Sequence, residues 1–369
     1  MDTGELLVDS LRRAPRLAPA ALATAWRGVR ETGLRPLVSR EGAVLWLLRR
    51  LDAQVAASAA PPAFVQWLRD EARGITARNL LVDAEAEGML QLLADRGTPH
   101  VAIKGTARRA SLARYPGADA RLTHDVDLLL PEQEVQPLWE HLRSLGWSFA
   151  KNPLATPAGH YHPPPLLGPL GIAVELHSAT SRGVSASECW RRATDESVTV
   201  EWHGRSVRVP GATELLWHAL THAMGDGIRG FALRYFLDAT VLLVAAADLD
   251  WTRLSARLAA GEVPDAGAAR QWLGAAADLA GTAIPASVMA GASPFDTPTA
   301  LNWRLAVLAR RSDVGFGARL LEEGTRAELG MPPAEVVPGT GVLKQTRRRL
   351  GGRAARTIYR LWRVTRSRP

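Results

Sequence analysis

Apolar positions recur at helical spacing through Glu41–Val55 and again through Asn79–Leu93, with a break at Pro61–Pro62. Residues 1 to about 98 therefore read as helical, and the last helix stops near Asp95-Arg96-Gly97-Thr98-Pro99, where Gly and Pro end the pattern. The period then changes. His100-Val101-Ala102-Ile103-Lys104 is a short β-rich run, and Val126 to Leu130 is apolar and closed by Pro131, as a buried strand would be. Glu132 to Leu145 suits a helix ended by Gly146, with Pro137 near its first turn or distorting it. Trp147–Ala150 and Leu170–His177 read as strands. The proline-rich segment Pro153–Pro169 between them is expected to hold no regular element. Val198–Glu201 and Ser206–Val209 flank Trp202-His203-Gly204-Arg205 as a hairpin. From Thr213 onward the pattern is helical, with Asp250 as a cap before Trp251 and breaks at Pro264 and Pro285.

The order is helices, a compact α/β segment, then helices again. This predicts an α+β fold: a small mixed sheet flanked by N-terminal and C-terminal helical regions. The expected divisions are a helical region at 1–98, the α/β core at 99–210, a helical domain at 211–340 and a basic tail at 341–369.

Composition and charge change this picture in three places. A hydrophobic content of 47% supports a buried core, and the single cysteine, Cys189, excludes an intramolecular disulfide and a four-cysteine zinc site. The net charge of +8 lies in the tail. Lys344 to Arg368 carries ten basic residues and no acidic one, so +8 less ten leaves −2 for the rest. The N-terminus is acidic with no compact apolar stretch behind it, and no run of about 18 apolar residues is present. A soluble cytoplasmic protein with no transmembrane segment is the expectation. In a helical tail, Arg349, Arg353, Arg356, Arg360 and Arg363 form one stripe beside Leu350, Ile358, Leu361 and Trp362. Such a helix suits an anionic membrane surface or nucleic acid through residues 344–369; the other reading is a solvated terminus.

The candidate chemistry lies in Thr123-His124-Asp125-Val126-Asp127-Leu128-Leu129-Leu130. Alternate residues of a strand share a face, so Asp125 and Asp127 point the same way. Two carboxylates side by side repel unless a cation or donor neutralises them. Mg²⁺ takes hard oxygens, typically one or two carboxylates together with substrate phosphates, and Mn²⁺ suits the same donors. Glu175, inside the apolar run Ile172-Ala173-Val174-Glu175-Leu176, is the expected third carboxylate, and His177 shares its face. Asp125 capping the strand or pairing with Arg121 is the competing structural reading.

With Ile103-Lys104-Gly105-Thr106 after a strand, Arg121 ahead of Asp-x-Asp, and Val174-Glu175-Leu176-His177 later, residues of roughly 80 to 245 resemble the uncharacterised nucleotidyltransferase family, within the nucleotidyltransferase superfamily. Lys-Gly stands where other branches of the superfamily have Gly-Ser. Gly105 and Asp125 are 20 positions apart, longer than in small antibiotic-modifying relatives, and the third carboxylate is Glu where Asp is common. The resemblance implies a nucleotidyltransferase core in which Asp125, Asp127 and Glu175 hold Mg²⁺ or Mn²⁺ and carry the catalysis. Lys104, Gly105, Thr106 and Arg121 would bind the nucleotide phosphates of an NTP substrate. The plain alternatives are an ordinary strand–helix turn, a solvated Lys104 and a salt-bridging Arg121. The resemblance also implies a cleft role for His222, Arg234 and Asp238; an intrahelical Arg234–Asp238 pair is their other reading. His177 either orients a neighbour or helps deprotonate an acceptor. A His218/His222 zinc pair lacks the Glu of the His-Glu-x-x-His motif. His160-Tyr161-His162 stands in the proline-rich loop, where it could touch substrate.

The function expected is therefore transfer of a nucleoside monophosphate from an NTP to a hydroxyl, phosphate or amine of a small molecule, peptide or protein. Two other readings stand. One is a non-catalytic nucleotide- or nucleic-acid-binding module with vestigial carboxylates and a basic tail. The other is a peripheral membrane protein acting through that tail.

Overall fold

The computed structural model describes residues 3–290, apart from 30, 54–58, 151–160, 182–183, 226–232, 245–246, 248 and 264–265. The basic tail, His160 and the expected break at Pro264 lie outside the described residues.

The fold is α+β. Five helices come first: α1 (Thr3–Leu11), α2 (Pro19–Arg27), α3 (Glu31–Arg40), α4 (Val44–Ala53) and α5 (Pro62–Arg96). Helix α5 is 35 residues long and starts on a proline, the residue whose missing N–H costs nothing in a first turn. It ends on Gly97 in the left-handed conformation (φ +65°), which lets the Gly97 and Thr98 amides close onto the carbonyls of Ala94 and Leu93. Its buried stripe runs Phe64, Leu68, Ala72, Asn79, Val82, Asp83, Ala86, Met89, Leu90 and Leu93. Trp26 stacks on Phe64 with ring centroids 5.7 Å apart and gives its indole N–H to Ser10 at 3.1 Å, joining α1, α2 and α5 into one core.

The α/β part follows as β1 (Val101–Ala102), α6 (Lys104–Ala110), β2 (Asp125–Leu129), α7 (Glu132–Ser144), β3 (Ser148–Phe149), β4 (Leu166–Leu167), β5 (Ala173–His177), α8 (Ala186–Asp195) and the strands β6 (Val198–Trp202) and β7 (Arg205–Val209). The sheet order is β1-β2-β5-β4-β3. β2 and β5 run parallel at its centre, and the other pairs are antiparallel. Both faces of the central strands are covered, and Val126, Leu128, Leu129, Val174 and Leu176 are all buried. The β6–β7 hairpin turns on His203 and Gly204, both at positive φ, as the expected two-residue turn requires.

Two expectations are corrected. Pro153–Pro169 was expected to hold no regular element, yet Leu166–Leu167 forms β4 and pairs with both β3 and β5. Two residues suffice there because the chain turns straight back through Gly168–Gly171. That turn rests on the carboxylate of Glu85, which accepts the Leu170 amide at 2.8 Å. A Cβ on Gly168 would collide with that carboxylate, so a side chain there would have to displace Glu85 from the turn. The strand expected at Leu170–His177 correspondingly starts at Ala173. Pro137 lies inside α7, just past its first turn.

The remaining helices are α9 (Ala212–Gly225), α10 (Leu233–Val244), α11 (Trp251–Ala259), α12 (Ala266–Ala280) and α13 (Ala286–Met289), with Asp250 capping α11 through the Arg253 amide at 2.9 Å. The chain divides into two compact units. The first gathers Met1–Leu11, Pro15–Ala219 and Val241–Leu249; the second gathers Arg12–Ala14, Leu220–Thr240 and residues from Asp250 on. In the second, Arg12 pairs with Asp278 at 2.6 Å and Phe236 packs on Trp272. No helix among the described residues is long and apolar enough to cross a membrane.

One buried ion pair ties α5 to the first turns after β1. Asp83, on the α5 stripe, takes two hydrogen bonds from the Arg109 guanidinium in α6, and both residues are at most 6% exposed. His203 of the hairpin approaches the same carboxylate at 3.6 Å. Removing one member of such a pair strands the other charge in a dry site. Asp83→Ala should therefore lower the unfolding free energy by about 3–5 kcal/mol, measured by denaturant titration. A loss below about 1 kcal/mol, the scale of an exposed pair, would show that the pair is not structural.

Candidate active site

The central strands place the acidic residues. In the parallel β2–β5 ladder Asp127 lies opposite Glu175, Asp125 opposite Ala173 and Leu129 opposite His177. Paired residues of a ladder share a face, so Asp125, Asp127, Glu175 and His177 line one side of the sheet. Asp127, Glu175 and His177 are 2%, 8% and 0% exposed, while Asp125 is half-buried.

Lys104 comes to this face from the first position of α6. Its Nζ lies 2.8 Å from Asp127 Oδ1, 3.5 Å from Glu175 Oε2 and 3.3 Å from His177 Nε2. Its backbone is in the left-handed region (φ +48°), a conformation that costs a non-glycine residue about 1–2 kcal/mol. Such strain persists only where neighbouring contacts hold it.

The charges sort themselves. Burial pushes Asp127 up, but the Lys104 ammonium and the hydrogen bond with His177 outweigh it and hold the carboxyl far below the usual range. Burial likewise raises Glu175, and His177 and Lys104 outweigh it. Burial lowers Lys104, and the Asp127 and Glu175 carboxylates overcome that, so it stays charged. Asp125 receives the repulsion left over. Burial first, then the charges of Asp127 and Glu175, push it up to about 7 despite Lys104 and Arg121.

The surroundings fix these groups in place. Thr106 Oγ1 accepts the Asp127 amide at 2.8 Å, so the hydroxyl expected at the phosphates is bound to the strand that carries the carboxylates. A Cβ on Gly105 would meet Thr123 Cγ2 at 2.9 Å, which accounts for glycine there by close packing. Asn79 clamps the approach to β2, giving Nδ2–H to the Arg121 carbonyl at 2.8 Å and accepting the Thr123 amide at 2.9 Å. Tyr161 stacks on His177 with centroids 5.8 Å apart, and His162 meets His177 edge-on at 5.0 Å. The Ser178 amide and hydroxyl both reach the Tyr161 carbonyl, which pins this loop to the end of β5. His177 Nε2 lies 2.9 Å from Asp127 Oδ1, and its Nδ1 has no hydrogen-bond partner. A proton on Nδ1 would be an orphaned buried donor, whereas a proton on Nε2 is received by Asp127. His177 is thus set to orient Asp127.

The structure brings together Lys104, Asp125, Asp127, Glu175 and His177, and places Arg121 within electrostatic range of Asp125. His222, Arg234 and Asp238 belong to the second compact unit. There His222 and Arg234 gather on Tyr235, with the guanidinium 4.8 Å from the ring centroid, and Asp238 is buried. His218 lies 3.2 Å from Glu214. Sequence reasoning missed Asn79, the Thr106–Asp127 bond and Tyr235. For Asn79 a signal existed, since it is a polar residue on an otherwise apolar helical stripe.

The donors fit a divalent cation. Among the described residues, Asp127, Glu175 and His177 form a group of ligand atoms all within 4.8 Å of one another. Hard carboxylate oxygens match Mg²⁺ or Mn²⁺, and three carboxylates exceed what Lys104 and Arg121 neutralise. The expected tautomer of His177 keeps its lone pair away from the cluster, so Asp127 and Glu175, with Asp125 beside them, are the oxygens a cation would use.

A mixed sheet with carboxylates on adjacent central strands, and helices on either side in sequence, is the class of core expected of a nucleotidyltransferase. The family described as uncharacterised nucleotidyltransferase has a model that matches residues 32–268, well over half the chain, and the protein belongs to that family. No curated protein and no solved structure matches the chain.

The raised Asp125 carboxyl has a consequence for stability. Its folded value of about 7 exceeds the ordinary 3.8, so between these values the folded chain holds a proton that the unfolded chain has released. Metal-free stability should fall as pH rises across that window and level off above it. Asp125→Asn removes the effect. At about pH 8 the variant should melt higher than wild type by roughly 2–4 °C per kcal/mol relieved, and the gap should close below about pH 4. Melting curves that run parallel at every pH would show that Asp125 carries no excess repulsion.

Proposed function

We propose that the protein transfers a nucleoside monophosphate from an NTP to a hydroxyl, phosphate or amine of a small molecule, peptide or protein. The observation that carries this reading is the in-register pairing of Asp127 with Glu175 on adjacent parallel strands, with Asp125 on the same face. Family membership supports nucleotidyl chemistry in general.

In this reading Asp125, Asp127 and Glu175 hold Mg²⁺ or Mn²⁺. When bound, the metal neutralises phosphate charge and favours the deprotonated acceptor. The chain's own groups do the rest. Lys104 and Arg121 contribute positive charge for the phosphate oxygens, and Gly105 lets the backbone beside them pack closely. His177 keeps Asp127 oriented, and Glu175 receives the proton as the acceptor attacks the α-phosphorus. One bond forms between the α-phosphorus and the acceptor, P–O for a hydroxyl or phosphate and P–N for an amine. The P–O bond to the bridging α–β oxygen breaks, and pyrophosphate leaves with the electron pair. Tyr161 stacks on His177 and His162 meets it edge-on, and together they cover its ring.

The test is a screen of labelled NTPs with the full-length chain and Mg²⁺ or Mn²⁺, following pyrophosphate release and self-modification. Asp127→Asn should retain the circular dichroism of the wild type while release falls to background, and a chelator should do the same to the wild type. Undiminished release in Asp127→Asn would rule out this assignment. Nucleotide binding that needs no metal and gives no turnover would instead favour a non-catalytic binding module.

A further inference from the structure

We propose that Lys104 is an internal stand-in for the divalent cation, occupying the carboxylate oxygens that the metal needs and leaving them when the metal binds. The inference rests on the metal-dependent reading above and adds a control step to it. Lys104 Nζ lies 2.8 Å from Asp127 Oδ1 and 3.5 Å from Glu175 Oε2, between the oxygens of the cation-binding group. A divalent ion drawing on the same two oxygens would compete with the ammonium for the space beside them. The two cations therefore exclude each other by volume as well as by charge.

Lysine suits an exchange of this kind better than arginine does. Its charge sits on a compact ammonium at the end of a flexible four-carbon stem, whereas a guanidinium makes a rigid two-pronged contact with a carboxylate. The chain draws this distinction in its composition. Only three of its 45 basic residues are lysines, Lys104, Lys151 and Lys344. Arg109–Asp83, Arg12–Asp278 and Arg49–Asp119, three ion pairs between residues distant in sequence, use arginine. Among the described residues Lys104 is the lone lysine, and its partners are the carboxylates of the proposed metal site. The side chain also has a way out. Lys104 is 20% exposed, while Asp127 is 3% and Glu175 11% exposed at their side chains. The ammonium can swing toward solvent, or toward a nucleotide's phosphates, while the carboxylates stay where the strands hold them.

The probe is Mn²⁺ alone, titrated calorimetrically into the full-length wild type, Lys104→Met and Asp127→Asn without nucleotide. Lys104→Met keeps the length of the side chain and removes its charge, so it should bind Mn²⁺ at least about tenfold more tightly and show a larger rise in melting temperature with Mn²⁺. Amine labelling of the wild type, read by mass spectrometry, needs no variant to fold. Lys104 should label slowly without metal and faster at saturating Mn²⁺, with Lys151 and Lys344 as internal references. Equal Mn²⁺ affinity in wild type and Lys104→Met, abolished by Asp127→Asn, leaves the metal site standing and overturns the stand-in. Labelling of Lys104 that Mn²⁺ leaves unchanged or slows overturns it as well. No Mn²⁺ binding by any of the three proteins overturns both the stand-in and the metal-dependent reading.

Discussion

Three carboxylates on the shared face of β2 and β5 repel one another, and the groups within reach of them are arranged around that repulsion. Two are partnered directly: Asp127 and Glu175 share Lys104, and Asp127 also takes the imidazole of His177. The third, Asp125, is left to carry the excess, and its carboxyl rises to about 7 as a result. A sheet built only for stability would place apolar side chains here, since isosteric hydrophobic replacements of buried charge are commonly neutral or stabilising. The clustering of perturbed acids on adjacent strands is instead what the proposed cation-binding site would require.

The scaffold around the cluster consists largely of polar groups that bind backbone. Asn79 from α5 holds the 121–123 segment, Thr106 from α6 holds the Asp127 amide, and Glu85 from α5 holds the turn into β5. Each reaches an element distant in sequence and fixes backbone at or near a strand that carries the carboxylates. The Asp83–Arg109 pair secures α6 to α5 in turn. The long helix α5 is thus the reference against which the two carboxylate-bearing strands are set.

This pattern explains what could be read from the chain beforehand. The alternation of Asp125 and Asp127 with apolar neighbours, and the isolation of Glu175 in an apolar run, were legible because a two-residue period and buried charge are local signals. The hairpin at His203-Gly204 and the end of α5 at Gly97 were legible for the same reason: each depends on a backbone conformation that its own residues announce. Helix α8 was passed over, although Ser185 and Glu188 form a serviceable capping signal, with the Glu188 amide bound to the Ser185 hydroxyl at 3.2 Å. Strand β4 could not be read locally. Its two residues acquire their ladder only once β5 and the Glu85-anchored turn exist. Thr106 illustrates the harder limit, because a hydroxyl in a strand–helix turn suits a phosphate and a backbone amide equally well, and only the three-dimensional partner decides.

The strained backbone of Lys104 follows from the same arrangement. Its neighbours are fixed on either side of it to the strand that carries Asp127. The Ile103 amide bonds the Asp127 carbonyl at 3.1 Å, Gly105 is pressed against Thr123, and Thr106 accepts the Asp127 amide. With residues 103, 105 and 106 held in this way, residue 104 has little freedom to relax, and its left-handed conformation directs the side chain across the carboxylates. The cost of about 1–2 kcal/mol is offset by a charge-assisted hydrogen bond, the class that contributes most among polar contacts. Because the constraint acts on the backbone, movement of the ammonium away from Asp127 requires rotation of the side chain alone. The carboxylates, the turn and the strand register are thus fixed independently of where the ammonium lies, which is the preorganisation that the proposed exchange of cations would require.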